Sequence, residues 1–387
     1  MTRSGEYVTN LSGKAEYKSF KPTSLPPNPE LKISSDMVKK LVEANRDLMK
    51  LDTLSKYIPN VELYILMYVN KEAVISSQIE GTQCTLDDIL DPYVDTNKNL
   101  DVAEVVNYIN ACSYAIERLE KLPLCNRFLR EIHKKLMKGI RGQEKNPGEF
   151  RKSQNWIGPA NCTLNDARFV PPNVEDMNQA MAELENYMNE GDDYDPLIRT
   201  ALIHYQFETI HPFLDGNGRV GRLMILLYLI EQKIISAPII YISYFLKKNQ
   251  IEYYDRITEV RRSGNYEQWV LFFLEAVSAA AKDSMETLEK LRELHERNVL
   301  NLPATTRKND NVRRVFDFIE QYPIIDIKKT AEELGLSYNT VSAVVKKLVQ
   351  IGILEDTTNQ ARNRVFVYKE YLDILRKDTE LINHFNP

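Results

Sequence analysis

The stretch HPFLDGNGRVGR, His211 to Arg222, sets one imidazole, one carboxylate, three glycines and two arginines within twelve residues. An apolar run comes next, LMILLYLI from Leu223 to Ile230, so the pattern predicts a loop that opens directly into a buried helix. The N-terminus of a helix presents N–H groups without intrahelical acceptors, and its dipole favours an anion there. Gly216 and Gly218 allow positive φ and close approach of the main chain to a ligand, and successive N–H groups in such a turn form an anion nest. Arg219 and Arg222 add guanidinium groups that match phosphate oxygens in pairs. Two of them plus a nest suit a polyphosphate better than a lone carboxylate. Asp215 is placed to hold Mg²⁺, which binds through one or two carboxylates plus phosphate oxygens. His211, with an ordinary pKa of about 6.5, is mostly neutral at pH 7 and can accept a proton. The embedded GNGRVG also matches the dinucleotide pattern, but that pattern needs a preceding strand. Here the preceding PLIRTALIHYQFETI carries Leu197, Ile198, Ala201, Leu202 and Tyr205 at helical spacing.

HPFLDGNGRVGR resembles the signature of the Fic (filamentation induced by cAMP) family, HPFx[D/E]GNGRxxR, at every fixed position. The resemblance implies a mainly α-helical Fic fold and transfer of AMP from ATP to a hydroxyl side chain of a target protein, with Mg²⁺ as cofactor and ATP as co-substrate. It makes His211 the base that deprotonates the hydroxyl and Asp215 the metal ligand. Gly216, Asn217, Gly218 and Arg219 become the α/β-phosphate cradle and Arg222 holds the γ-phosphate, with Glu80, His211, Val220 and Gly221 counted among the ATP-binding residues. Upstream, SSQIEG from Ser76 to Gly81 resembles the family's inhibitory motif [S/T]xxxE[G/N]. Ser76 and Glu80 are four apart and share a helical face, and Gly81 is a natural helix stop. The resemblance implies that Glu80 pairs with Arg222 and takes the place the γ-phosphate needs.

The chain has 387 residues, 43% hydrophobic and 27% charged, with a net charge of −5. That length suggests two or three domains, and there is no basic excess of a protein wholly devoted to nucleic acid. Four cysteines without C-x-x-C spacing read as reduced thiols. The polar start MTRSGEYVTN lacks a leader's apolar region, and no apolar run is long enough for a membrane span. These features lead to the expectation of a cytoplasmic protein without membrane contact.

Pro22, Pro26, Pro27 and Pro29 predict an extended N-terminal arm. Helices are expected from Ser34, with Val38, Leu41, Val42, Asn45 and Leu48 on one face, and from Val61 after Pro59. Two more fall within 101–140, where His133 reads as structural or surface; His204 further on reads as structural. PGEFRKSQNWIGPANCTLNDARFVPP, from Pro147, reads as a hairpin; the resemblance makes it the flap that holds the target by strand addition. Helix resumes over 174–189 and from Pro196. Beyond the loop, Tyr253 and Tyr254 are candidates to line the adenine pocket, with Tyr254 taken as the ATP contact. A helix through Trp269, Phe272 and Phe273 is expected to be separate from a long polar one over 278–301.

LPATTRKNDN is a linker by composition. The C-terminal remainder has a helix–turn–helix with Gly335 in the turn and then two alternating stretches, which together resemble a winged helix. Its recognition helix would carry Tyr338, Asn339, Thr340, Ser342, Lys346 and Lys347, and its wing Arg362 and Arg364. DNA binding and a protein-contact or homodimer role stand open for it, since Glu332, Glu333, Glu355 and Asp356 dilute the basic surface. The expected division is 1–100 for the arm and the inhibitory helical region, 101–301 for the Fic core, 302–311 for the linker and 312–387 for the winged helix. The function expected is protein adenylylation of a Ser, Thr or Tyr hydroxyl on a target, this chain itself included, restrained by Glu80. The alternatives are Fic-type transfer of another phosphate-linked group, or a DNA-binding regulator that uses the core to sense nucleotide.

Overall fold

The N-terminal arm closes into a hairpin where an extended segment was expected. β1 (Gly5–Asn10) pairs antiparallel with β2 (Tyr17–Pro22), Gly5 opposite Pro22 and Asn10 opposite Tyr17. The prolines come at or after the end of β2, so they terminate the ladder without interrupting it. Phe20 is buried against Phe169, with ring centroids 6.1 Å apart, and its N–H donates to the Val170 carbonyl at 2.9 Å. The hairpin is thereby attached to the segment beside the loop. The computed structural model describes residues 2–58, 61–96, 98–139, 143–159, 161–302, 311–357, 364–377 and 379–381. Pro59, the linker residues 303–310 and Arg362 lie outside the described residues.

Helices dominate the rest. α1 (Ser35–Tyr57) is capped by Ser34, whose hydroxyl accepts from the Met37 N–H at 3.1 Å. Its buried face runs through Met37, Ala44, Leu48 and Leu51, while Val38 and Val42 face outward, so the expected stripe is rotated. α2 (Val61–Ile79) is buried without a break from Met67 to Ser77. It stops at Gly81, whose φ is +94° and whose N–H reaches the Gln78 carbonyl at 3.0 Å. α3 (Leu86–Leu90) has a capping box formed by Thr85 and Asp88, and α4 (Leu100–Leu119) and α5 (Asn126–Leu136) come next.

The segment expected as a hairpin makes one antiparallel bridge, Ile157 with Phe169. A longer ladder does not form among the described residues: with Ile157 opposite Phe169, the next hydrogen-bonding positions fall on Pro159 and Pro171, which have no N–H to donate, and a 3₁₀ turn at Leu164–Asp166 fills the interval. α6 (Val174–Glu190) then leads to α7 (Pro196–Ile210), which opens on Asp195 as cap and Pro196 in its first turn. α7 and α8 (Asn217–Glu231) are buried along nearly their whole lengths. They approach closely at Gly221, where an added Cβ would lie 2.3 Å from Glu208 Oε1 and 3.1 Å from the Phe207 ring.

α9 (Ser243–Lys248) and α10 (Gln250–Ser263) precede α11 (Tyr266–Asn301), a single helix of 36 residues. The apolar and polar parts, expected to be two helices, are one because no glycine or proline separates them. α1 packs along α11 and is tied to it by Ser278 to Asp47 at 2.7 Å and Lys40 to Glu275 at 2.9 Å.

The C-terminal part comprises α12 (Asn311–Gln321), β3 (Ile324–Asp326), α13 (Ile327–Leu334), α14 (Tyr338–Gln350), β4 (Glu355–Asp356), β5 (Val365–Val367) and α15 (Lys369–Arg376). Its sheet has the order β3-β5-β4, all antiparallel. Gly335 at φ +62° ends α13, and Ser337 caps α14. This part is joined to α11 by Asn298 to Tyr368 at 2.6 Å and His295 to Glu320 at 2.7 Å. It also reaches the end of α2. The Gln78 amide donates to the Thr379 carbonyl at 2.9 Å, and Lys247 bridges Gln78 Oε1 and the Glu380 carbonyl at 2.6 and 2.8 Å. Among the described residues no helix is long and apolar enough to cross a membrane.

Candidate active site

His211 stands where α7 stops, with φ 51° and ψ 59°, a left-handed conformation that strains a non-glycine residue. Its surroundings hold it there. The Arg151 N–H donates to the Pro212 carbonyl at 2.9 Å, and Arg151 Nε to the His211 carbonyl at 3.1 Å. Asn155 Nδ2 donates to the carbonyls of His211 and Phe213 at 3.2 and 2.9 Å. Below the loop the His133 ring lies flat on Phe213, centroids 3.8 Å apart. His133 Nδ1 accepts from the Gly148 N–H at 2.8 Å, so Nε2 carries the proton and donates to the Asp215 carbonyl at 3.0 Å. Burial lowers the pKa of His133 to about 4, which keeps that neutral tautomer. Its sequence signal was a lone histidine on a helix; the structure makes it a floor for the loop.

The residues from 215 to 222 divide into support and open groups. Asn217 is buried, and its side-chain amide closes on Phe213, accepting at 2.8 Å and donating at 2.8 Å. Only its main chain is left for an anion. The Gly216 N–H is taken by Asp215 Oδ1 at 2.5 Å. The N–H groups of Asn217, Gly218 and Arg219 form the first turn of α8, where a helix has no internal acceptor to offer. Arg219 has a side chain only 6% exposed and ion pairs no closer than 3.5 Å to Asp215 and 3.6 Å to Glu104. Its Nε is buried without a hydrogen-bond partner among the described residues. A guanidinium so loosely paired is prepared for another anion. Asp215 is 48% exposed beside it. Among the described residues no group of three or more metal-binding side chains occurs.

The Arg222 side chain is 1% exposed and is held through Nε and Nη2. Nε donates to Ser76 Oγ at 2.9 Å, and Nη2 donates to the Ser76 carbonyl at 2.8 Å and to Glu80 Oε1 at 2.7 Å. Burial alone would lower the Arg222 pKa, but the Glu80 carboxylate beside it raises it. Conversely, burial would raise Glu80, and the Arg222 charge holds it below the usual carboxylate value. Gly218 completes the contact: a Cβ there would sit 2.1 Å from Glu80 Oε1 and 2.9 Å from Arg222 Nη1. Glu80 thus fills space that the glycine leaves open above the helix end.

Burial lowers the pKa of His211 to about 4, with the charges of Arg261 and Arg151 acting in the same direction and Glu80 against them. The ring is therefore neutral at pH 7. Its buried Nδ1 has no hydrogen-bond partner among the described residues, and the Glu208 main chain acts with Glu80 in favour of the charged ring. Glu208 itself is buried, and burial pushes its carboxyl up to about 7. Behind Arg222, Glu72 is likewise pushed up to about 7 and accepts from Ser243 and from Tyr108 OH. Three carboxylates, Glu72, Glu104 and Glu208, surround the arginines without having been singled out in sequence, because an acidic residue in a helix pattern reads as a solvated one.

Tyr253 is not available to a base. It is 1% exposed, and its hydroxyl meets His204 Nε2 at 2.9 Å, while His204 Nδ1 meets the Gly221 carbonyl at 3.1 Å. The pair pins α7, α8 and α10 together. Tyr254 is half-buried, and both Glu80 and Arg222 act on its hydroxyl, so it stands near the anion site.

The Fic/DOC family model matches residues 123–229, which contain this loop, and the Fic/DOC N-terminal model matches residues 38–117, which contain the Ser76–Gly81 segment. Residues 38–117 and 123–229 are thus a Fic/DOC N-terminal region and a Fic/DOC domain. The chain is 31% identical over 130 residues to the protein adenylyltransferase Fic of Drosophila grimshawi, covering 33% of this chain and 24% of that one. It is 28% identical over 178 residues to that of Culex quinquefasciatus, covering 46% and 31%. The chain thus spans about a quarter to a third of the length of these curated relatives. A Fic family protein from Desulfovibrio desulfuricans superposes with a TM-score of 0.55 at 20% identity, covering 87% of this chain and 97% of that one. A Fic domain containing signaling protein from Bacteroides thetaiotaomicron superposes with a TM-score of 0.52 at 20% identity, covering 65% and 97%. These two show a shared Fic fold.

Proposed function

We propose that this protein is a Mg²⁺-dependent adenylyltransferase that moves AMP from ATP to a Ser, Thr or Tyr hydroxyl of a protein, and that Glu80 restrains it. The observation that carries the reading is Arg222, buried at the helix end and paired with Glu80 at 2.7 Å across the space left by Gly218. In the reaction the target hydroxyl gives its proton to His211 Nε2 while its oxygen forms a bond to the α-phosphorus. The bond from that phosphorus to the bridging oxygen breaks, and diphosphate leaves. The neutral ring of His211 is in the accepting state at pH 7. The first-turn N–H groups of α8 and Arg219 would hold the α- and β-phosphates, Arg222 the γ-phosphate, and Tyr254 would stand against the base. Asp215 would hold Mg²⁺, which supplies charge neutralisation on the phosphates when bound. Positioning and charge account for most of such catalysis. With Glu80 in place, the γ-phosphate and the carboxylate compete for one guanidinium.

The winged-helix reading of residues 312–387 is part of this proposal. The order α12, β3, α13, α14, β4, β5 supports it, with Tyr338, Asn339, Lys346 and Lys347 exposed on α14. Arg364 is paired with Asp356, which reduces what the wing offers to phosphate. A cytoplasmic setting, with ATP and Mg²⁺ at hand, and the division of the chain into arm, Fic core, linker and winged helix belong to the same reading.

Label transfer tests it. Wild type, Glu80→Gly and Glu80→Gly/His211→Ala are given ATP labelled at the α- or γ-phosphate, with Mg²⁺ and cell lysate. Transfer from the α-position only, ten- to hundredfold greater in Glu80→Gly than in wild type, is expected. That range corresponds to about 1.4–2.8 kcal/mol. It falls below the roughly 3–5 kcal/mol lost on breaking a fully buried ion pair because Glu80 is 35% exposed. The double variant should bind nucleotide and transfer nothing. Label from the γ-position alone would identify phosphoryl transfer instead, and equal rates in wild type and Glu80→Gly would remove the restraint.

A further inference from the structure

The segment beside the catalytic loop reaches it through two side chains that the proposed chemistry does not use. Arg151 is 1% exposed, and its guanidinium donates to main-chain carbonyls. Nη1 reaches the Ser153 carbonyl at 3.3 Å and Nη2 the Pro172 carbonyl, one near each end of the flap segment. Nη2 also lies 3.5 Å from the Ile210 carbonyl, and Nε donates to that of His211 at 3.1 Å. The main-chain N–H of the same residue holds the Pro212 carbonyl. One buried residue therefore ties both ends of the flap to three consecutive residues, Ile210 to Pro212, where α7 passes into the loop. Asn155 adds a second tie from within the flap, one amide group donating to the carbonyls on either side of Pro212. Its Oδ1 is buried without a partner among the described residues, so the amide is held by its donor side alone.

A buried guanidinium is expensive to desolvate, and its hydrogen bonds compensate only in one geometry. The left-handed backbone of His211 is itself strained by about 1–3 kcal/mol and persists only where the surroundings over-determine it. We propose that Arg151 and Asn155 are positioning residues that lock the flap to the main chain of His211, so that the hydroxyl presented on the flap and the ring that takes its proton keep one separation. The inference rests on the adenylyltransferase reading for the meaning of that separation, while the lock itself is a property of the loop. Among the described residues neither side chain hydrogen-bonds Arg219, Arg222 or an N–H of the first turn of α8; Asn155 meets that turn only through the Phe213 carbonyl it shares with Asn217, so the lock acts on His211 first. A misplacement of about 1 Å at the reacting atoms lowers rates on the order of a hundredfold, which is the scale of effect the lock can control.

The test uses the full chain in the Glu80→Gly background, with Asn155→Asp and Arg151→Met. Aspartate has the shape of asparagine but sets an acceptor against two carbonyls; methionine keeps the length of the stem and removes every donor. The initial rate of α-label incorporation into lysate protein is measured against ATP concentration, and the Kd of a non-hydrolysable ATP analogue is measured separately. The expected result is a rate at saturating ATP at least tenfold lower in both variants, with the half-saturating ATP concentration and the Kd within twofold of the parent. Rates within twofold of the parent would overturn the lock. So would a Kd that rises in step with the loss of rate, because that would make the residues general supports of the site. If Arg151→Met does not fold, Asn155→Asp decides alone, since Asn155 is only half-buried. If Glu80→Gly itself transfers nothing, the adenylyltransferase reading has failed, and the lock is decided by spectra of ring-labelled histidine. The chain has five histidines. Displacement of the His211 signal in Asn155→Asp with the others in place would support the lock, and an unmoved His211 signal would overturn it.

Discussion

At the scale of single residues, the site depends on protonation states set by burial. An unperturbed histidine would lose its capacity as a base as the pH falls through about 6.5. His211 does not, because burial lowers its pKa to about 4 and Glu80 is the nearby charge acting in the opposite direction. Removing Glu80 takes away that opposing charge, so the pKa moves further down. Transfer by Glu80→Gly should therefore stay level from pH 8 to about pH 5.5, with no acid limb near 6.5. A pH–rate profile falling with a midpoint near 6.5 would show that the ring is solvated and that its neighbours do not shift it. Arg222 behaves differently: it stays charged at any working pH, so its control lies in which anion pairs with it.

At the scale of elements, the catalytic loop is shaped by the contact of α7 with α8. Both helices are buried nearly all round, so the loop between them cannot be re-aimed without moving the core. Gly221 permits the contact, and the crowding atoms are the buried carboxyl of Glu208 and the ring of Phe207. Gly221→Ala should lower stability by about 1–3 kcal/mol, the usual penalty of over-packing, seen as a lower denaturant midpoint with an unchanged slope. An unchanged midpoint would mean that Glu208 can swing aside and that the two helices have room to spare at this point. The flap is the opposite kind of element. It has one bridge pair of its own and takes its shape from Arg151, Asn155 and the N-terminal hairpin.

At the scale of the whole molecule, the restraint on Arg222 is connected to the far end of the chain. Glu80 follows α2 directly, and the last turn of that helix is tied through Gln78 to the main chain of Cys84 and Thr379, and through Lys247 to that of Glu380. Arg376 of α15 adds an ion pair to Asp87 beyond the same turn. Gln78→Ala removes these hydrogen bonds without touching the nucleotide site. It should raise α-label transfer several-fold above wild type while remaining below Glu80→Gly. A rate equal to wild type would mean that the C-terminal part leaves the end of α2 unaffected.

The sequence by itself determined the parts whose signals are local. A loop rich in glycine and arginine before an apolar run, preceded by a helical pattern, reads as the opening of a buried helix, and α8 is one; four-residue spacing put Ser76 and Glu80 on one side at the end of α2, and both meet Arg222. The mainly helical class followed from the same periodicities. What only the tertiary structure decided involves residues far apart in the chain. Tyr253 and Tyr254 are adjacent in sequence, yet one is sealed against His204 and the other faces the site, because α10 turns one side to the core. Arg151, Asn155, His133 and Glu104 are polar residues that pattern alone assigns to the surface. They are drawn inward because segments 56 or more positions away supply their partners. The hairpin of the first twenty-two residues escaped notice for the related reason that its second strand is completed by Val170. Short-range periodicity records which face of an element is apolar; it does not record what that face, or a buried donor on it, will meet.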